Sequence, residues 1–259
     1  MLGMMSNDSR VNTQKGDEIM NHTRQVKTFI GAMMLAAVTA GGYAVATSHS
    51  LHLYFALAVL GLAGVTSRMK VKLPGINGNM SVNLPFLLTA IVNLSSAEAV
   101  VITCVSTMAQ CWPRKDAKWK PEQIAFNVSM MALASSLASL LFHAQWSSRF
   151  GLNSNPLGLA LAATTLFLGQ TLPVAGIVAV SESKAAGPIW WNLAQLSFPY
   201  YVVSAGVSSM VQMVSAHMGW ELALAVFPIM YGIHRSYSLY FGKMAESSRP
   251  PVLVRGASA

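Results

Sequence analysis

Charge is what this chain lacks most. Only 10% of its 259 residues are Asp, Glu, Lys or Arg, against about 25% in an ordinary soluble domain. So few charges cannot keep a globular surface wet, which excludes a soluble enzyme, a nucleic-acid-binding arm and a disordered regulator. Acidic residues are the scarcer kind, nine against seventeen basic ones, and aspartate is absent from every apolar stretch. There are no paired carboxylates deep in a stretch, no Walker loop, no G-x-S-x-G and no H-E-x-x-H. Serines abound, but none has a base set beside it by spacing, so no catalytic residue is assigned and the chain is read as a non-enzyme. Cysteine is limited to Cys104 and Cys111; without C-x-x-C spacing they read as buried free thiols.

Apolar length is what the chain has in place of charge. It is 53% hydrophobic with a mean hydropathy of +0.47, and its apolar runs approach the roughly 17–25 residues that cross a bilayer. Eight spans are expected, at about 29–47, 51–67, 82–95, 97–112, 122–142, 157–180, 190–214 and 220–241. The expected fold is all-α, a polytopic membrane helix bundle with both termini cytoplasmic. It divides into an N-terminal segment (1–28), a transmembrane domain (29–241) and a short tail (242–259). Ala44-Val45-Ala46 matches a signal-peptidase site, but the polar stretch before the first span is longer than a usual leader's.

The basic residues support this topology. With eight spans, all of them except Arg149 fall on the side of the termini, as expected where positive charge marks the cytoplasmic face. The excess charge is thus topological, and no nucleic-acid partner is implied. Trp112, Trp119, Trp190 and Trp191 fall at inner span ends, Trp146 and Trp220 at outer ones, the level that indoles favour. The location expected is a bacterial inner membrane, with the lipid bilayer as the first partner.

Polar residues recur at helical spacing. Ser197, Tyr201, Ser204, Ser208, Gln212 and Ser215 share one face of the seventh span, and Ser129, Ser136, Ser139 and His143 one face of the fifth. Thr103, Ser106 and Gln110 stripe the fourth, while Gly158, Ala162, Thr165, Gly169 and Gly176 form a small-residue stripe on the sixth, suited to close packing. Two readings stand side by side: hydroxyls bonding helix carbonyls, or a polar cavity walled by the fourth, fifth and seventh spans. The segment Leu73-Pro74-Gly75-Ile76-Asn77-Gly78-Asn79-Met80-Ser81-Val82-Asn83 cannot continue a helix. It enters an unusually short apolar stretch, either as a plain connector or as a pocket-lining entry. On the second reading, Asn77, Asn79, Asn83, Gln110, Ser139, Ser208 and Gln212 are the candidate ligand-binding residues. An anionic or carbonyl-bearing ligand is then favoured by the start of the third helix. His49, His52, His143 and His217 lie on the outer side without ligand spacing, so neither a metal nor a cofactor is assigned.

Two segments carry a resemblance. Leu73-Pro74-Gly75-x-x-Gly78-x-Met80-Ser81-Val82-Asn83 and Pro228-x-x-Tyr231-Gly232-x-His234-Arg235-Ser236-Tyr237-x-Leu239-Tyr240 resemble the N-terminal membrane sensor domain of bacterial HD-GYP and GGDEF signalling proteins. The resemblance runs from the first span to about residue 244. The residues after Tyr240 carry neither catalytic module, so cyclic-dinucleotide chemistry is not implied. It implies a membrane sensory or small-ligand-binding module, with a cytoplasmic signalling protein as partner. A looser likeness, at the level of small helical bundles with Gly- and Pro-rich loops, is to the substrate-binding subunits of energy-coupling-factor importers. That likeness implies the alternative: a substrate-binding or permease subunit of a small-solute transporter, working with a transport ATPase.

Overall fold

The computed structural model describes residues 5–48, 51–72, 79–113, 120–143 and 155–218, with isolated positions between 228 and 239. Side chains are described from residue 24, except 70–80, 155 and 214–218. The described residues form helices α1 (Met5–Ala46), α2 (Leu53–Ser67), α3 (Leu84–Asn93), α4 (Ser96–Cys111), α5 (Pro121–His143), α6 (Asn155–Glu182) and α7 (Ala186–Met218). Between α2 and α3 lie two short antiparallel strands, β1 (Lys70–Lys72) and β2 (Asn79–Ser81), paired Lys70↔Ser81, Val71↔Met80 and Lys72↔Asn79.

Among the described residues, three helices are long and apolar enough to cross a membrane: Arg24–Ala46 of α1, Pro121–His143 and Pro156–Glu182. This is a helical membrane protein. Leu35, Val38 and Tyr43 of α1 are exposed, as are Val101 and Val105 of α4 and Phe198, Val202 and Met210 of α7. Such apolar faces suit lipid, not water.

The helices alternate in direction, as their end contacts show. At one end Ser48 Oγ accepts from Ala97 N–H, and Glu98 accepts from His52 N–H at 2.6 Å. His143 Nε2 donates to Ile91 O at 3.0 Å, and the start of α6 meets the end of α5 where Gly158 faces Phe142. At the other end Lys27 of α1 lies 3.9 Å from Glu122 of α5. There Arg68 Nη1 donates to Ala109 O at 3.0 Å and Trp112 O at 3.4 Å, covering carbonyls that the end of α4 leaves unpaired. Gly176 of α6 meets Phe29 of α1 at this same end. Both the Lys27 and Arg68 side chains lie here, while His52 and His143 lie at the opposite end.

The interior is built on α3. Every residue from Leu84 to Ile91 is buried, in one core with Val59 and Ala63 of α2, Met131 and Ala134 of α5, Leu166 of α6 and Val207 of α7. Pro85 at its first turn suits a helix start, where a proline's missing N–H costs nothing. Its end is set by Ser95, which caps α4 in a reciprocal box with Glu98 and forces Leu94 into extended backbone. α3 has only 10 residues, about 15 Å at ~1.5 Å per residue, or half a hydrocarbon core of about 30 Å. The expected third span over 82–95 is thus a buried helix about half the length of a full crossing, preceded by the β1–β2 hairpin. α2 and α4, with 15 and 16 residues, are also shorter than the ~20 that a crossing calls for. Of the expected eighth span, only isolated helical positions are described.

The capping carboxylate yields a test. Glu98 accepts from His52 N–H and Ser95 N–H, and from the Ser95 hydroxyl at 2.7 Å. Glu98→Ala leaves the two backbone donors without their acceptor, which is expected to cost about 2–4 kcal/mol. Glu98→Gln keeps one acceptor oxygen and should lose clearly less. Thermal unfolding in detergent reads both, and equal losses would mean that the carboxylate acts through its bulk alone.

Candidate functional site

A short buried helix has to satisfy its end groups from elsewhere in the fold, because neither water nor further helix reaches them. α7 does this at the start of α3. The Tyr200 hydroxyl donates to Ser81 O at 2.9 Å and accepts from Leu84 N–H at 3.3 Å. It thereby pins the end of β2 to the first turn of α3. Two turns along α7, Ser208 Oγ donates to Pro85 O at 3.0 Å, an oxygen that also accepts from Thr89 Oγ1 at 2.8 Å. The far end of α3 is closed by His143 of α5 on Ile91 O and by Asn93 Nδ2 on Thr89 O.

The first turn of α3 thus has its own N–H groups occupied. Leu84 N–H goes to Tyr200, Pro85 has none, and the N–H groups of Phe86 and Leu87 bond Asn83 O at 3.1 and 3.2 Å. A ligand has no free peptide donor there, so the anion preference expected of this helix start loses its donor atoms.

The polar stripes differ in what they do. On α4 and α5 the hydroxyls turn back on their own helices: Thr103 to Ala99 O, Ser106 to Thr103 O, and Ser135 and Ser136 to Ala132 O. Only Ser139 reaches across, donating to Ser96 Oγ at 2.8 Å. On α7 Ser197 likewise bonds its own helix, at Leu193 O, whereas Ser208 reaches α3. Ser204 and Ser208 are wholly buried, and two atoms of this stripe, Ser204 Oγ and Gln212 Nε2, are buried without a hydrogen-bond partner. A third such atom is Asn83 Nδ2, on a residue only 5% exposed. Asn83 directly precedes α3, but its side chain makes no capping bond.

Among the candidate ligand-binding residues, the structure sets Ser208 against α3, with Asn83 immediately before α3 in the chain and Gln212 one helical turn beyond Ser208 on α7. Ser139 lies at the Glu98 end, bonded to the first residue of α4. Gln110, half-buried, lies on α4 at the Arg68 end; residues 96 and 110 are about 21 Å apart at ~1.5 Å per residue. Asn79 pairs with Lys72 in the hairpin, while its side chain and the whole of Asn77 fall outside the described residues. Tyr200 joins Ser208 at this seam between α3 and α7, and Ser204 lies between them in the chain. Ser204 belongs to the polar stripe that periodicity reveals, whereas Tyr200 lies one position off it and has no signal in the sequence.

Chemically, Asn83, Gln212 and Ser204 offer two primary amides and a hydroxyl in an apolar interior. Among the described residues no three His, Cys, Asp or Glu side chains come together as a metal site would require. No serine, threonine or cysteine there bonds a histidine or a carboxylate, apart from the Ser95–Glu98 helix cap. Cys111 Sγ accepts from Asn127 Nδ2 at 3.3 Å, and both cysteines are free and partly buried. The two segments on which the expected sensor-domain resemblance rests, 73–83 and 228–240, lie largely outside the described residues. No protein-family model, no curated protein and no solved structure matches this chain.

Proposed function

We propose that the chain is a sensory or small-ligand-binding module of a bacterial inner membrane, crossing it eight times with both termini cytoplasmic, and without catalysis of its own. The observation that carries the ligand reading is the set of three buried polar atoms without partners, Ser204 Oγ and Gln212 Nε2 on α7 and Asn83 Nδ2 just before α3. Each such atom costs about 1–3 kcal/mol when left unpaired, and a bound molecule recovers that cost. The neighbouring polar stripes, satisfied within their own helices, favour the seam over a wider cavity. The segregation of Lys27 and Arg68 from His52 and His143 supports the orientation.

Two experiments test this. In a background free of Cys104 and Cys111, Lys118→Cys should be labelled only from the cytoplasm; labelling from the periplasmic side of intact cells sinks the eight-span topology. For the ligand, the purified chain in nanodiscs is incubated with a small-molecule extract of cells, washed and unfolded, and what it releases is identified by mass spectrometry. A sensor retains a compound yet does not accumulate it inside proteoliposomes. Accumulation would favour a subunit of a transporter, and an empty eluate would end the ligand reading.

A further inference from the structure

The donors at the seam also constrain what fits them. Ser204 stands one helical turn from Tyr200 and one from Ser208, so the three share a face of α7. Its neighbours bond Leu84 N–H and Pro85 O, which brackets Ser204 at the level of the first turn of α3. Asn83 precedes that turn, and Gln212 continues the same face of α7 one turn further. Asn83 Nδ2, Ser204 Oγ and Gln212 Nε2 are the partnerless atoms, with Asn83 5% exposed and Ser204 fully enclosed.

None of these groups carries charge. The peptide donors of α3's first turn are bonded to Tyr200 and Asn83 O, and the Arg68 guanidinium is engaged by the carbonyls of Ala109 and Trp112. A carboxylate or phosphate brought here would give up its hydration for neutral donors alone, which an apolar interior penalises heavily. An ammonium group would likewise give up its hydration for neutral acceptors alone. An uncharged oxygen acceptor has neither difficulty. Each amide brings N–H groups that a carbonyl accepts, and a serine hydroxyl either donates to it or accepts from an adjoining hydroxyl.

We infer that the α3–α7 seam binds an uncharged molecule through a carbonyl or hydroxyl oxygen, held by the side-chain amides of Asn83 and Gln212 and the hydroxyl of Ser204. The inference rests on the ligand-binding reading and narrows it to one chemical class.

The test uses matched pairs of probes that differ in charge: nicotinamide against nicotinate, and acetamide against acetate. Thermal unfolding of the full chain in detergent is followed over a concentration series of each. A molecule that binds only the folded state raises the midpoint in a saturable way. The expected result is a rise with at least one amide and none with its carboxylate. Ser204→Ala, a single-atom deletion, should unfold at or above the parent's midpoint without probe, since it removes a polar atom that the protein itself does not pair. It should also weaken the probe-induced rise several-fold. Asn83→Leu is the second variant and should behave likewise.

A rise with the carboxylates alone overturns the inference, as does no rise with any probe. Ser204→Ala unfolding well below the parent does so too, because its hydroxyl would then be paired within the protein. The wider reading is decided separately: a charged compound retained from the cell extract leaves the module a ligand binder and refutes only the class assigned here.

Discussion

Tyr200→Phe is expected to lower stability by about 2–4 kcal/mol, the largest loss of any single-atom change in the α3 environment. The hydroxyl fills two roles at once, donating to Ser81 O and accepting from Leu84 N–H. Phenylalanine keeps the ring and its packing beside Tyr201, so the change isolates the oxygen. Both backbone groups then remain buried without that partner, and each costs about 1–3 kcal/mol. Ser208→Ala is the internal comparison. It removes one of two hydroxyls on Pro85 O and leaves Thr89 Oγ1 in place, so a loss nearer 1 kcal/mol is expected. Denaturation in detergent, followed by helical signal or thermal midpoint, reads both variants. If Tyr200→Phe were no worse than Ser208→Ala, the junction between hairpin and helix would not depend on the tyrosine.

Gly169→Ala is expected to destabilise by about 1–3 kcal/mol, and Gly169→Leu to prevent folding. A Cβ at 169 would stand 2.7 Å from Ala134 Cβ and 3.2 Å from Ala134 Cα. One of these is backbone, so α5 and α6 have to move apart and lose the contacts that their closeness permits. Gly206 of α7 is the control: nothing lies within 4 Å of the space its Cβ would take. There the same substitution should stabilise, because alanine favours a helix interior over glycine by about 0.5–1 kcal/mol. Pairing Gly169→Ala with Ala134→Gly reopens the space and should restore part of the loss. Opposite signs at positions 169 and 206 test the small-residue stripe directly; equal effects would mean that α6 is not held against α5 by this close approach.

That stripe was legible because it depends on spacing alone. Gly158, Gly169 and Gly176 recur on one helical face, and the structure sets them against Phe142, Ala134 and Phe29. The hairpin was less legible. Lys70-Val71-Lys72 and Asn79-Met80-Ser81 are three residues each, too short for alternation to outweigh the apolar runs around them. Asn77-Gly78 between them is the available signal, a dipeptide that favours hairpin turns. The polar stripes were visible on three spans, yet nothing in their spacing separates a hydroxyl bonded to its own helix from one facing another. Thr103 and Ser136 do the first, Ser208 the second.

The sequence by itself determined the solvent. A chain with 10% charged residues and long apolar runs has to place helices in an apolar medium, since only there are exposed side chains such as Leu35 and Val38 tolerated and only closed backbone bonding is stable. The expected limits of the third and fourth spans, 95 and 97, fall at the Ser95–Glu98 capping box that the structure shows. The tertiary structure alone decided that the 10-residue α3 is enclosed by α2, α5, α6 and α7, and that Tyr200 and His143 close its two ends. It alone separated the paired hydroxyls of α4 and α5 from the unpaired atoms at Asn83, Ser204 and Gln212. The physical reason is range. Hydropathy and capping act over one or two helical turns, whereas the partner of a buried polar atom is chosen by residues more than a hundred positions away, as Tyr200 is from Ser81.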